Sequence, residues 1–148
     1  MIYLGADHRG FNLKEHLKKW LKNRGLAFED LGALTLDPND DYPLIAEKVA
    51  RKVAKNTEHR GVLLCGSGAG VCIAANKIDG IRASEGIHKD AIKAARSDDD
   101  INVLCLSADL LASDEAQDLV DAFLNTPYSG EERHERRLKE IKDIEENN

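Results

Sequence analysis

Cys65-Gly66-Ser67-Gly68-Ala69-Gly70 is the segment of this sequence best suited to chemistry. Its alternate glycines let the backbone turn several N–H groups toward one point, forming a nest that binds negative charge. A helix expected just after it would add its positive end. The dinucleotide pattern Gly-x-Gly-x-x-Gly is missed, because Val71 stands where the last glycine belongs, and Lys77 does not complete a Walker motif. A small oxyanion therefore suits this turn better than a pyrophosphate. The same six residues also read as a plain tight connection. Cys65 opens the turn. A thiol beside a helix N-terminus gives up its proton more readily, and a thiolate next to an anion hole can serve as nucleophile or as base toward a carbon acid. The alternative for Cys65 is a small apolar residue closing a strand.

Two further groups stand out. Asp7-His8 follows an apolar run, and a carboxylate beside an imidazole at a strand end can orient a hydroxyl and shuttle protons. Asp7 reads equally as a cap for the helix that begins near Phe11. Arg133 and Arg137 stand four apart with His134 between them, so two guanidinium groups on one helix face could grip a single phosphate. Glu132, Glu135 and Glu140 offer them ordinary surface pairing instead. Cys72 and Cys105 lie in apolar runs and are expected in the core. No ligand set has metal-site spacing, so no metal is expected.

The elements that must position these groups follow from one rhythm, short apolar runs alternating with amphipathic stretches. Strands are predicted over 2–6, 26–31, 62–65, 81–84 and 102–106. The first helix carries Phe11, Leu13, Leu17, Trp20 and Leu21 on one face and closes on Arg24 and a Gly25 cap. Pro43 fits the first turn of the second helix, and 71–77 and 88–96 read as the third and fourth. Ser113 is the expected N-cap of the fifth helix, with acids in its first turn, and a highly charged sixth starts at about 131. Alternating strands and helices imply a parallel sheet covered on both faces. The expected fold is α/β: one three-layer α/β/α, Rossmann-like domain over 1–148 with a five-stranded parallel sheet. Ligands of such sheets bind at the carboxyl ends of the strands, near the point where strand order reverses. Asp7-His8, Cys65-Gly66-Ser67, Ser84-Glu85 and Ser107 are all expected along that edge.

Composition narrows the function classes. The chain has 148 residues, 42% hydrophobic and 32% charged, enough for a packed core in one domain. No apolar run approaches the roughly 20 residues of a membrane helix, and the start does not resemble a signal peptide. With three cysteines at unpaired spacing, a disulfide framework is not expected and a reducing cytoplasm fits. The net charge of −6 argues against nucleic acid as a partner but leaves room for a small anion held by a few arginines.

Taken in order, Asp7-His8-Arg9-Gly10-Phe11, Asp41-Tyr42-Pro43, the Cys65–Gly70 turn, Ala74-Ala75-Asn76-Lys77, Gly80-Ile81-Arg82-Ala83, Asn102-Val103-Leu104 and Arg133-His134 with Arg137 resemble the ribose-5-phosphate isomerase B family. That family includes galactose-6-phosphate isomerase subunits and allose-6-phosphate isomerases. The resemblance implies aldose–ketose isomerisation of a sugar phosphate through an enediolate, with no cofactor and no metal, as in pentose phosphate metabolism. It implies Cys65 as the base, with Ser67 and the Gly66, Gly68 and Gly70 nest stabilising the enediolate. Asp7 and Tyr42 would hold sugar hydroxyls, and His8, Arg133, His134 and Arg137 the phosphate. It also implies a homodimer, or a tetramer built from dimers, whose sites draw on two chains. Two positions depart from the family. Asp98 and Asp99 replace a His-Asn pair whose His opens the furanose ring, and Asp109 replaces an arginine that helps to bind phosphate. A carboxylate can take a hydroxyl proton but is a poor acid toward a ring oxygen at neutral pH. Besides ribose 5-phosphate, a hexose 6-phosphate (allose or galactose 6-phosphate) or a non-catalytic sugar-phosphate-binding role fits this departure.

Overall fold

Ile2–Ala6 (β1), Arg60–Cys65 (β3) and Val103–Ser107 (β5) are nearly uniform apolar runs, and the fold buries them on both faces. This is the pattern of strands inside a parallel sheet. In the computed structural model, which describes residues 1–148, they form the centre of a five-stranded sheet. Phe28–Asp30 (β2) and Ala83–Glu85 (β4) are its short edges, in the order β2-β1-β3-β5-β4 with every pair parallel.

Five helices cover the sheet, Phe11–Asn23 (α1), Tyr42–Val53 (α2), Ala69–Ala75 (α3), Lys89–Asp99 (α4) and Ser113–Asn125 (α5), and a sixth, Glu132–Glu146 (α6), packs on α4. Leu4, Val62, Leu64, Leu104 and Leu106 point to one face and meet Leu17, Leu21, Ile92, Leu119 and Phe123 of α1, α4 and α5. Tyr3, Leu63, Cys65, Val103 and Cys105 point to the other and meet Ala46, Val49, Ala50, Val53, Val71 and Ala75 of α2 and α3. Those two clusters make the three layers. The second is built of small residues, and Gly5 permits the close approach: a Cβ there would stand 2.8 Å from both Ile45 and Val49. No helix is long and apolar enough to cross a membrane.

Several boundaries differ from the sequence-based expectation, each for a local reason. β2 is three residues instead of six, because Phe28 already pairs with Ile2, the first residue of β1. β4 begins at Ala83, since the N–H and C=O of Arg82 are engaged by Asn102. α3 ends at Ala75, where Asn76 turns its amide back to grip the N–H and C=O of Ala83. Ser113 is not the cap of α5. Ala112 takes the capping position, and the Glu115 carboxylate accepts its N–H at 3.0 Å. α1 closes as expected on a left-handed Gly25, with Gly25 N–H bonded to Lys22 C=O and Leu26 N–H to Leu21 C=O.

Two polar anchors fix the loops that matter below. Lys14 is fully buried on α1 and donates to Asp30 at 2.8 Å and to the Ala33 carbonyl, tying α1 to the exit of β2. Arg96, 3% exposed, donates to Asp100, to the Ile101 carbonyl and to the Thr126 carbonyl. Asp100 adopts a left-handed conformation (φ 45°) and takes Arg82 on its second oxygen. The end of α4 is thereby locked at the amino edge of the sheet.

Candidate active site

Register alone sets the first group of residues abreast. Ala6 pairs with Leu64 and Cys65 pairs with Ser107, so Asp7, Cys65 and Ser107 leave the sheet side by side. β1 is followed by a crossover to one side and β3 by a crossover to the other, so this edge holds the point where strand order reverses.

The turn after β3 is shaped by what holds its carbonyls. Gly66 C=O accepts the Ser107 hydroxyl at 2.7 Å and the Asp109 N–H at 3.1 Å, while Cys65 C=O accepts the Ala108 N–H. With the carbonyls tied toward β5, Gly68 N–H donates to Cys65 Sγ at 3.2 Å and Ala69 N–H to Ser67 Oγ at 3.2 Å. The N–H groups of Gly66, Ser67 and Gly70 take no partner within the chain. Gly68 sits at φ +83°, where a Cβ would press on the backbone of β5 at 3.1 Å. Gly70 lies against the Tyr42 ring, which a Cβ would meet at 2.7 Å. Cys65 is 4% exposed, whereas Ser67 and Tyr42 are exposed. α3 has only seven residues, so the loop N–H groups, more than a helix end, make the nest.

Asp7 is buried and its Oδ1 accepts the N–H groups of Arg9 and Gly10, so it does hold the turn into α1, although Gly10 is the capping residue. His8 is fixed by a residue the sequence did not single out. Asp40 Oδ1 accepts the His8 backbone N–H at 3.0 Å and lies 2.7 Å from His8 Nδ1. Ligand atoms of Asp7, His8 and Asp40 come within 4.8 Å of one another, the one group that could hold a cation. Its geometry is already explained by the His8–Asp40 hydrogen bond. Arg9, also not singled out, lays its guanidinium against Gly66 and pairs with Asp109. Asp109 is therefore a neutralised partner and not a free negative charge at the site. Cys105 is fully buried, as expected, and Cys72 is half-buried beside it. Cys72 Sγ donates to the Ala83 carbonyl at 3.4 Å; the interaction of the two thiols holds Cys72 low and, with burial, pushes Cys105 well up.

The second group lies elsewhere. α4 runs back from the exit of β4 to the entry of β5, so Asp98 and Asp99 stand at the opposite edge of the sheet from Cys65. A five-residue strand separates those edges by roughly 16 Å. The Ser97–Asp100 run is the last turn of α4 and its cap, so the helix extends past residue 96, where the sequence-based expectation ends it. α6 brings its residues to this same edge. His134 is 4% exposed, bonded to Ser129 Oγ at 2.6 Å, with Nε2 3.7 Å from Asp98 Oδ1. Arg133 and Arg137 are exposed; Glu131, not Glu132, Glu135 or Glu140, pairs with Arg133. One chain thus brings together Asp7, His8, Tyr42, Cys65, Ser67 and the glycines. It gathers Asp98, Asp99, Arg133, His134 and Arg137 separately.

The family model for ribose/galactose isomerases matches residues 2–141, almost the whole chain. The chain belongs to the ribose/galactose isomerase family. A probable ribose-5-phosphate isomerase B of Mycoplasma genitalium is 41% identical over 141 residues, 95% of this chain and 92% of that one. The crystal structure of ribose-5-phosphate isomerase B from the same organism, with bound ribulose 5-phosphate, superposes with a TM-score of 0.94 at 40% identity, covering 99% and 97% of the two chains. The type B enzyme of Trypanosoma cruzi gives a TM-score of 0.93 at 35% identity, covering 99% and 96%. The family resemblance carried by the motif order is thus established, and so is the three-layer parallel fold. Several motif residues of the isomerase family have structural work here. Asn76 clamps α3 to β4, and Asn102 accepts the Arg82 N–H and donates to the Gly80 carbonyl.

Proposed function

We propose that this protein interconverts ribose 5-phosphate and ribulose 5-phosphate. The observation that carries the reading is the turn after β3, where a buried Cys65 thiol accepts the Gly68 N–H beside three unpartnered N–H groups. Such a pairing suits removal of a proton from carbon next to a carbonyl. The relative with bound ribulose 5-phosphate supports the substrate class.

In the proposed reaction the Cys65 thiolate takes the proton from C2 of the open aldose. The C2–H electron pair moves into the C1–C2 bond and the carbonyl electrons move onto O1. The resulting oxyanion meets the N–H groups of Gly66, Ser67 and Gly70 and the Ser67 hydroxyl, while Gly68 N–H meets charge developing on Cys65 Sγ. Returning the proton to C1, with transfer of the O2 proton, gives the ketose. No step needs a cofactor or a metal. Asp7 and Tyr42 hold sugar hydroxyls, and His8, braced by Asp40, turns its free Nε2 to the ligand.

Arg133, His134 and Arg137 complete the phosphate site, with Asp98 and Asp99 near the anomeric hydroxyl. Since they lie at the far edge of the sheet, they reach Cys65 only from a second copy of the chain, so the working unit is a homodimer or a tetramer of such pairs. In ring opening Asp98 takes the proton of the anomeric hydroxyl as the C1–O4 bond breaks, and water supplies the proton that the departing ring oxygen gains.

The test is ribose 5-phosphate turnover at neutral pH with Cys65→Ala run alongside. Activity in the native protein and its loss in the variant, with unchanged melting, support the reading. Equal activity in both would remove Cys65 as the base. The family's galactose branch keeps allose and galactose 6-phosphate as the substrates to try if ribose 5-phosphate is not turned over.

A further inference from the structure

We infer that Arg9 is a phosphate-binding residue of this site, a guanidinium supplied by the same chain as Cys65. This deepens the isomerase reading and rests on it for the identity of the sugar phosphate.

A Cβ built on Gly66 would run into the Arg9 guanidinium, so the Arg9 head group lies directly against the first peptide of the nest. Gly66 N–H has no partner in the chain. On Arg9 only Nη2 is engaged, by Asp109; Nε and Nη1 donate to nothing. The structure therefore sets unspent guanidinium donors at the outer rim of the nest, whose own N–H groups serve the oxyanion, at the carboxyl edge between β1 and β3.

Charge and exposure decide what these donors are for. Arg9 is 56% exposed and Asp109 44%, so the pair lies at the mouth of the site, while Cys65 is buried at its floor. A sugar whose carbon reaches Cys65 extends its phosphate outward toward that mouth. Guanidinium matches phosphate oxygens with paired N–H groups better than any other side chain. Asp109 holds one end of the guanidinium, which lowers the cost of ordering a long side chain when the anion arrives. The backbone helps too, because Arg9 N–H is bonded to the buried Asp7 carboxylate, fixing where the side chain departs. A merely structural ion pair between the β1 and β5 exits would not require the guanidinium to cover Gly66.

The experiment compares the native protein with Arg9→Ala and Arg9→Lys, read in three ways. Steady-state kinetics with ribose 5-phosphate should show KM rising roughly tenfold or more in Arg9→Ala with kcat changed far less, and a partial return in Arg9→Lys. Inorganic phosphate, titrated by calorimetry, should bind the native protein and lose affinity by a similar factor in Arg9→Ala. Thermal melting should differ little, since the side chain is on the surface. An unchanged KM with unchanged phosphate affinity overturns the assignment, as does a fall in kcat alone. If the native protein turns over no sugar phosphate, the isomerase reading fails by itself. Arg9 is then judged by phosphate affinity: loss in Arg9→Ala upholds it, and equal or absent binding overturns it.

Discussion

At the residue scale, the directions of a few polar atoms decide what the turn after β3 can do. Cys65 receives one N–H and sits beside three that are unpartnered, so it is the group whose removal should matter most. Cys65→Ala should lower kcat by about a hundredfold to ten-thousandfold while leaving the melting temperature close to native, measured by turnover and by circular dichroism. Arg137→Ala should instead raise KM more than it lowers kcat, because contacts to a phosphate distant from the reacting carbons bind ground state and transition state alike. Unchanged kinetics would take Arg137 out of the site. The sequence marked Cys65, Ser67, Asp7 and His8 by residue type and glycine spacing. It could not mark Asp40, one of three aspartates in a loop, or Arg9, because only the folded turn shows that Gly66 lies beneath a guanidinium.

At the scale of elements, the interior strands were legible and their ends were not. Uniform apolar runs announce β1, β3 and β5, because burial on both faces leaves no other composition possible. The ends of β4 and α3 depend on the Asn76 and Asn102 amides, whose partners are distant in the chain and leave no periodic trace. The same holds for Lys14, a charged residue with no exposure in a helix that otherwise reads as amphipathic. Lys14→Met should cost about 3 kcal/mol, since it leaves Asp30 with Lys18 as its remaining cation, and denaturant melting would measure it. Burial pushes the Asp30 carboxyl up, but hydrogen bonds from Lys14, Lys18 and Gly32 N–H outweigh it and hold it below the ordinary 3.8. A carboxyl lowered by folding contributes stability that is complete above its ordinary pKa and is lost as pH falls through the folded value. Native protein should therefore lose stability as pH falls below about 4, and Asp30→Asn should flatten that part of the profile.

At the scale of the molecule, the sheet itself separates the two halves of the proposed site. Cys65, the nest, Asp7, His8 and Tyr42 lie at its carboxyl edge, and Arg96 with Asp100 locks Asp98, and with it the α6 cluster, at the other. Residue type and spacing alone do not show that separation, because both groups are simply polar residues at the ends of elements; only the family resemblance, which implies sites drawing on two chains, points to it. Two chains in opposed orientation would set the carboxyl edge of one against the amino edge of the other, giving two equal sites. The most direct test of a single centre built this way uses two defective proteins, Cys65→Ala and the double variant Arg133→Ala/Arg137→Ala. Each is assayed with ribose 5-phosphate well below the native KM, alone and after unfolding and refolding together in equal amounts. Random pairing makes half the dimers mixed, each with one intact site and one doubly damaged, so about a quarter of native activity should return. Activity no greater than the average of the two proteins alone would contradict a shared centre.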